Sequence, residues 1–525
     1  MWRIAAISRV AMLLLMLTFD ALVDDYDTSG RLSPGAGVSG KPSIDAAHPK
    51  SPSSPLCAAV EGLVTWDAVY FLRISEAGYE HEQTHAFFPL LPAVTRGVAS
   101  ASSALAGAVA GGSEKGSGNE KSESGPSRCA LAASALAVSN SAHVAAAVVL
   151  QKLGAIVLAN DDIDGNAARD AARSAAALFA LNPASAFHSA PYTESIFALL
   201  SFAGFYFLER ASLSSYKTMS STRNRNGAAL CFALACAARS NGALNGLVLA
   251  HDFFARVAPA ARAEARRRRR TKRLVSGVLA LGPLLAATVA FAARCVVTLA
   301  PLFAVQLYGY RTYCARALGG DPPAWCSRWR PFPNVYAHVQ SHYWNVGFLR
   351  YYELKQIPNF LLAAPALAVS ASAGLCWWNT FARTEPRNQG GKGSDDEAEA
   401  DGADANRTQT RSRSRRRSRE EGSEHAWMLS PRVRPYLFKW AVMSVVALLV
   451  MHVQVTTRFL SVTPGIYWFL AKRGFAEAER EAAGERKRTF PSGKRRGVWR
   501  RAATLYSISF FMLGALLFPT FYPWT

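Results

Sequence analysis

Cysteine is scarce in this chain: eight residues in 525, with no CxxC pair. That excludes a paired-CxxC zinc module and a thioredoxin-like redox site. No internal repeat is found, whereas many multi-span transporters are built from such repeats. The first apolar stretch runs into Asp20, Asp24 and Asp25 instead of a small-residue cleavage site. It is therefore expected to remain as an uncleaved first span and not to be removed as a signal peptide. Basic charge is plentiful, formally +22, yet no aromatic-interleaved basic domain accompanies it, which argues against a nucleic-acid partner.

What is abundant is apolar sequence in long runs. Mean hydropathy is near zero, but that average sums strongly apolar and strongly charged blocks. Residues 129–159, 172–190, 192–209, 227–250, 274–308, 358–378, 435–453 and 502–522 each approach or exceed the roughly 20 residues that cross a hydrocarbon core. The basic charge lies between these blocks. Residues 262–273 carry eight basic side chains, 407–419 seven arginines, and 472–501 eleven basic against four acidic residues. Loops of that kind stay on the cytosolic side of a membrane. Arg3 and Arg9 before the first span, and acids after it, orient the N-terminus to the cytosol and the next segment to the lumen.

The chain therefore reads as one all-α polytopic membrane domain over 1–525. Its expected parts are a low-complexity luminal loop at 24–60, disordered loops at 111–128 and 383–430 that are read as cytosolic, a basic cytosolic loop at 260–273, and a luminal loop at 309–357. The sequon Asn406-Arg407-Thr408 lies in the second disordered loop and is expected to stay unglycosylated. Residues 457–471 are short for a span and suggest a re-entrant segment, which needs protein or a water-filled cavity to satisfy its backbone. Cys314 and Cys326 share the 309–357 loop, where they are either disulfide-bonded or idle.

Polar residues inside or beside apolar blocks carry the most information, because placing them there costs a few kcal/mol, roughly, and needs a reason. Asp67 stands in W-D-A-V-Y-F, followed by Glu80, His81, Glu82 and His85. Asn182, His188, Tyr192 and Glu194 stand in L-N-P-A-S-A-F-H-S-A-P-Y-T-E-S, and Arg239, Asn241 and Asn245 in A-R-S-N-G-A-L-N-G. Pro183 is expected to break or start a helix. A buried Glu194 needs a partner, and Arg239 is a candidate. Tyr336, Tyr343, Trp344, Tyr351 and Tyr352 suit an interfacial aromatic belt or a sugar-stacking surface.

These phrases occur in an order that resembles one family. W-D-A-V-Y-F with A-F-F-P, L-N-P-A-S with Y-T-E-S, R-S-N-G, then Q-S-H-Y-W-N-V-G-F-L-R-Y-Y-E-L-K-Q-I-P-N-F from Gln340 to Phe360, H-V-Q-V-T-T-R-F and the terminal P-W-T are together similar to the second GPI mannosyltransferases of PIG-V type. The resemblance covers nearly the whole chain apart from the low-complexity inserts. It implies a GT-C type membrane glycosyltransferase with its active site on luminal loops. It also implies transfer of the second mannose, in α-1,6 linkage, from dolichyl-phosphate mannose to the mannosyl-glucosaminyl-phosphatidylinositol intermediate at the endoplasmic-reticulum membrane. The implied partners are that donor, that lipid intermediate and membrane lipid, with a small accessory membrane subunit as a further candidate.

A β-linked donor and an α-linked product require inversion, so one general base must deprotonate the acceptor hydroxyl. Asp67, at the end of the first luminal loop, is the expected base; its alternative role is N-cap of a helix starting at Ala68. The leaving phosphate calls for donors or positive charge, for which His81, His342, Arg350, Arg239 and Arg458 are candidates. Glu80, Tyr192, Glu194, Gln340, Trp344 and Asn345 complete the expected substrate-binding set. No cofactor is expected, although Glu80, His81, Glu82 and His85 have the side chains to ligate a divalent ion. The competing readings are a transporter or lipid-handling protein, since intramembrane Arg and Glu also mark substrate pathways, and a non-catalytic subunit of a glycosylation complex.

Overall fold

A computed structural model of the chain describes residues 1–26, 54–109, 125–159, 165–271, 281–315, 323, 325–328, 334–384, 425–482, 498–522 and 524. Every regular element among them is helical. Four helices are long and apolar enough to cross a membrane: Trp2–Leu22 (α1), Arg128–Val157 (α2), Gly282–Ala315 (α3 through Tyr310, then a π turn), and Leu354–Arg383, whose helical body is Ile357–Thr384 (α4). The chain is a membrane protein. The other apolar blocks are also helical, as Glu194–Ser212 (α5), Met219–Ala238 (α6), Arg434–Leu449 (α7) and Val498–Leu517 (α8).

Local chemistry sets the ends of these helices. Ser127 and Thr218 cap α2 and α6, their hydroxyls accepting from Ala130 N and Ser221 N. The block at 172–190 breaks where Pro183 predicts it: a helix Gly165–Ala180 (α9) stops, and a short helix Ser185–Ser189 (α10) follows. Asn182 makes the corner, its Nδ2 donating to Phe179 O (2.8 Å) and its Oδ1 accepting from Ala184 N (2.8 Å). Gly204 lets α5 and α6 approach closely, since a Cβ there would lie 2.2 Å from the Phe232 ring.

Two ends of the bundle are chemically distinct. One carries Asp67, Arg239 and Arg458 together with the disulfides Cys57–Cys129 and Cys314–Cys326. At the other, Tyr436 Oη donates to Glu209 Oε1 (2.9 Å) and Arg256 pairs with the same carboxylate (3.0 Å). That contact joins the far end of α5 to the start of α7 and to the approach of Ala258–Thr271 (α11), the helix bearing Arg266 to Arg270.

Several expectations change. Residues 258–271 are helical, not loop, because Ala and Arg are good helix formers. Residues 55–60 of the 24–60 loop belong to a helix, Pro55–Gly62 (α12), capped by Ser54. Ala426–Leu429, inside the 383–430 loop, forms a turn that buries Trp427 and Met428. Arg9 does not stand in solvent: it is buried within α1 and donates to the carbonyls of Ala180 and Ser185 and the hydroxyls of Ser185 and Ser189. The 457–471 segment comprises most of a short helix Thr456–Leu460 (α13), a break at 461–463, and the start of a longer helix Pro464–Ala482 (α14).

The end of the 111–128 loop also moves. Cys129 is bonded to Cys57, and Arg128 pairs with Glu61 (3.5 Å) and Glu76 (3.1 Å). The end of this loop thus lies beside Cys57, Glu61 and Glu76, so two segments expected on opposite sides of the membrane meet at one end of the bundle; residues 110–124 lie outside the described residues. The sequon at 406–408 also lies outside them. Arg432, shortly after it, donates to Ile156 O at the end of α2 remote from Cys129 (3.4 Å). Endoglycosidase treatment is expected to leave the chain's electrophoretic mass unchanged at this sequon; a shift abolished by Asn406→Gln would place 385–424 on the other side.

Candidate active site

Asp67 begins an 11-residue helix, Asp67–Ala77 (α15), and its N-cap is Trp66. The carboxylate therefore does not cap the helix, contrary to the alternative reading of this residue. Trp66 has φ +54°, a conformation that costs a bulky residue about 1–3 kcal/mol and persists only where the surroundings impose it. The surroundings do so from two sides. Trp66 Nε1 donates to Phe518 O at the end of α8 (3.2 Å), and its ring meets Phe521 (5.8 Å between centroids). The Tyr192 hydroxyl accepts from Asp67 N (2.9 Å) and faces Thr65 O (3.5 Å).

This arrangement turns the Asp67 side chain toward Arg458, whose guanidinium donates to Oδ2 at 2.9 Å. Arg458 also donates through Nε to Glu194, and Arg239 donates to the same Glu194 oxygen. Two carboxylates and two guanidinium groups thus form a neutral chain, Asp67–Arg458–Glu194–Arg239. Its exposure is graded: the Glu194 side chain is 0% exposed, Arg458 14%, Arg239 17% and Asp67 32%. Arg458 additionally stacks over Phe187 and Tyr192, at 5.0 and 4.9 Å from their centroids. Among the described residues, Asp67 Oδ1 has no hydrogen-bond partner, which leaves that oxygen for a ligand.

The sequence motifs supply the walls. In R-S-N-G, Gly242 is needed because a Cβ there would lie 2.5 Å from Cys236 N; that close turn sets Arg239 at the end of α6. Ser240 Oγ donates to the Tyr336 hydroxyl (2.9 Å) on the helix Val335–Trp344 (α16). His452 Nε2 lies 2.6 Å from Trp344 O, and Tyr351 donates to Gln454 (2.6 Å), so H-V-Q-V-T-T-R-F meets the Gln340–Phe360 segment. Trp344 packs against Tyr70, one turn beyond Asp67 (6.4 Å). Asn345, with φ +51°, ends α16, and Gln340 O accepts from Val346 N there. His342 and Arg350 are exposed on this segment, His342 stacked on His338 (5.3 Å) and Arg350 donating to Ser341.

The acidic and histidine-rich run after α15 has separate partners. Glu80 pairs with Arg73 (2.7 Å), Glu82 with His338 (2.9 Å), and His81 O accepts from Thr84. His85 is ringed by Tyr79, Tyr308 and Tyr313, and burial pushes its pKa below the ordinary value. Among the described residues no group of three or more His, Cys, Asp or Glu converges on a metal-sized site. Sequence reasoning missed the Cys57–Cys129 pairing and the double role of Arg458, for which no local spacing gives a signal.

A Tyr192→Phe chain keeps the ring contacts with Phe187 and Phe518 but loses the acceptor for Asp67 N. At about 1 kcal/mol for one such bond, enzymatic turnover is expected to fall about 5-fold, measured as initial rate at saturating substrate with protein abundance held equal.

Comparison with known proteins gives this geometry a context. The family model described as Mannosyltransferase (PIG-V) matches residues 1–525. GPI alpha-1,6-mannosyltransferase 2 of Mus musculus is 29% identical over 100% of this chain and 98% of its own length. The enzyme of the same name from Cricetulus griseus is 31% identical over 89% and 82%. GPI mannosyltransferase 2 of Chaetomium globosum is 34% identical over 67% and 70%. Among solved structures, an oligosaccharyltransferase of Archaeoglobus fulgidus aligns with 98% of this chain and 55% of its own at 13% identity, with a TM-score of 0.41. The chain belongs to the PIG-V mannosyltransferase family.

Proposed function

We propose that this chain transfers the second mannose of the GPI core, from dolichyl-phosphate mannose to the C6 hydroxyl of the mannose on mannosyl-glucosaminyl-phosphatidylinositol, in the lumen of the endoplasmic reticulum. The relatives are named as GPI alpha-1,6-mannosyltransferases, which supports the α-1,6 linkage and the GPI acceptor. Both disulfides lie at the Asp67 end of the bundle, which suits an oxidising compartment.

The observation that carries the mechanism is the half-open carboxylate of Asp67, anchored through Oδ2 to Arg458 with Oδ1 free among the described residues. In the proposed step Asp67 takes the proton of the acceptor hydroxyl as its oxygen bonds to the anomeric carbon. The bond from that carbon to the phosphate oxygen breaks on the opposite face, and dolichyl phosphate leaves with the electron pair. One displacement inverts a β donor to an α product. Arg458 and Arg239 are committed to carboxylates, so we assign the leaving phosphate to the exposed His342 and Arg350 on the segment that packs beside Tyr70. Trp344 and Tyr70 offer faces for a sugar ring. No metal or other cofactor is invoked in this step.

The test is reconstitution. Purified chain in lipid, given dolichyl-phosphate mannose and the monomannosylated lipid, is expected to yield a dimannosylated lipid sensitive to an α-1,6-specific mannosidase. A dimannosylated product resistant to that mannosidase, or transport of the lipid without transfer, would overturn the reading.

A further inference from the structure

His188 stood out in the sequence, yet the proposed chemistry gives it no part. It is fully buried on α10, between the Phe179 ring (5.5 Å) and His143 (4.9 Å). Both ring nitrogens are engaged. Nδ1 lies 3.1 Å from Ser195 Oγ, and Nε2 lies 3.1 Å from Ser461 Oγ. The two serines matter because of their neighbours. Ser195 follows Glu194 directly, and its hydroxyl also reaches His188 O (2.7 Å). Ser461 Oγ reaches Arg458 O (2.7 Å), closing the last turn of the short helix α13 that carries Arg458.

The imidazole therefore joins the backbone at Glu194 to the backbone at Arg458. These segments are 264 residues apart in sequence, and their side chains meet in the ion-pair chain. A neutral ring donates through one nitrogen and accepts through the other, so one serine hydroxyl must turn its hydrogen from a carbonyl to the ring. With the ring proton on Nε2, Ser461 accepts from the ring and keeps its own hydrogen on Arg458 O, so that tautomer closes the bridge to Arg458. Its place is also telling: α13 is only five residues long and is followed by the break at 461–463 before Pro464. A helix of one turn has little cooperative stability of its own, so an outside contact must fix where its arginine points.

We propose that His188 is a positioning residue: through Ser461 it sets the height of Arg458, and through Arg458 the orientation of the Asp67 carboxylate. This rests on the reading of Asp67 as the base. Displacing such a carboxylate by a fraction of an ångström slows the chemical step while leaving substrate binding intact.

The full chain reconstituted in lipid, assayed with dolichyl-phosphate mannose and the monomannosylated lipid, tests this. His188→Phe fills the cavity but breaks both bonds, and is expected to lower kcat about 10- to 30-fold with KM for each substrate within about 2-fold. His188→Gln, whose amide reaches the Nε2 position, is expected to restore kcat to within about 3-fold of wild type. His188→Asn, which reaches only toward Ser195, is expected to remain slow.

Ser461→Ala supplies an independent arm should the ring variants fold poorly. It is expected to lower kcat about 5-fold, and its effect should not add to that of His188→Phe, because both break one path. Wild-type kcat in well-folded His188→Phe and Ser461→Ala, or full additivity between them, would overturn the proposal. An active Asp67→Asn chain would instead overturn the base assignment on which it rests, so the two failures are told apart.

Discussion

Asp67→Asn is expected to reduce kcat about 1,000-fold while the protein accumulates and purifies like wild type. Asparagine keeps the volume and a carbonyl oxygen at the position that accepts from Arg458, so the wall of the site survives. It cannot take a proton from a hydroxyl. General-base catalysis contributes roughly 10²- to 10⁴-fold, and 1,000-fold corresponds to about 4 kcal/mol of barrier. Because the loss is in the transition state, KM for acceptor and donor should change little. A large rise in KM with kcat preserved would make Asp67 a binding residue.

Glu194 should behave differently, although it is two bonds of the same chain away. It is fully buried and holds two guanidinium groups. Glu194→Ala leaves Arg239 and Arg458 facing each other with no carboxylate between them, and only Asp67, on Arg458, to balance two cations. Breaking a buried pair from one side costs about 3–5 kcal/mol, so the expected phenotype is loss of protein: several-fold lower abundance and a lower melting temperature in detergent. Restoring neutrality tests the cause. Glu194→Gln combined with Arg239→Gln should recover much of the abundance lost in Glu194→Gln alone, while activity stays low because Arg458 has lost one of its two anchors. Equal abundance of the single and double variants would mean that charge balance is not what holds this junction.

Much of this molecule was legible in its sequence, for identifiable reasons. Hydrophobic blocks declare helices because length and apolarity are local properties, and Pro183 marks the break between α9 and α10 because its effect is confined to a turn. Glu194 announced its need for a partner because a lone buried carboxylate is costly, and Arg239 was the arginine at hand.

The hidden parts are long-range. Nothing near Cys57 points to Cys129, 72 residues away, and without that pairing the low-complexity 111–128 loop reads as just another polar insert. Arg458 offered itself as a phosphate ligand because cations beside a lipid-phosphate donor suggest that role; only the fold shows it between Asp67 and Glu194. Trp66 at φ +54° was equally unreadable, since its conformation is imposed by the last residues of the chain through Phe518 and Phe521. The site is thus assembled from both termini and the middle, and a reading by local pattern finds its parts but not its connections.

The central claim is that this chain makes the second mannose transfer and that Asp67 performs it. The most direct measurement is rescue in cells lacking their own second GPI mannosyltransferase, with surface GPI-anchored protein counted by flow cytometry. The wild-type chain is expected to restore surface display, and an Asp67→Ala chain at equal abundance is expected to leave the cells negative. Full restoration by the Asp67→Ala chain would contradict the base assignment, and no restoration by a well-expressed, correctly localised wild-type chain would contradict the assigned reaction.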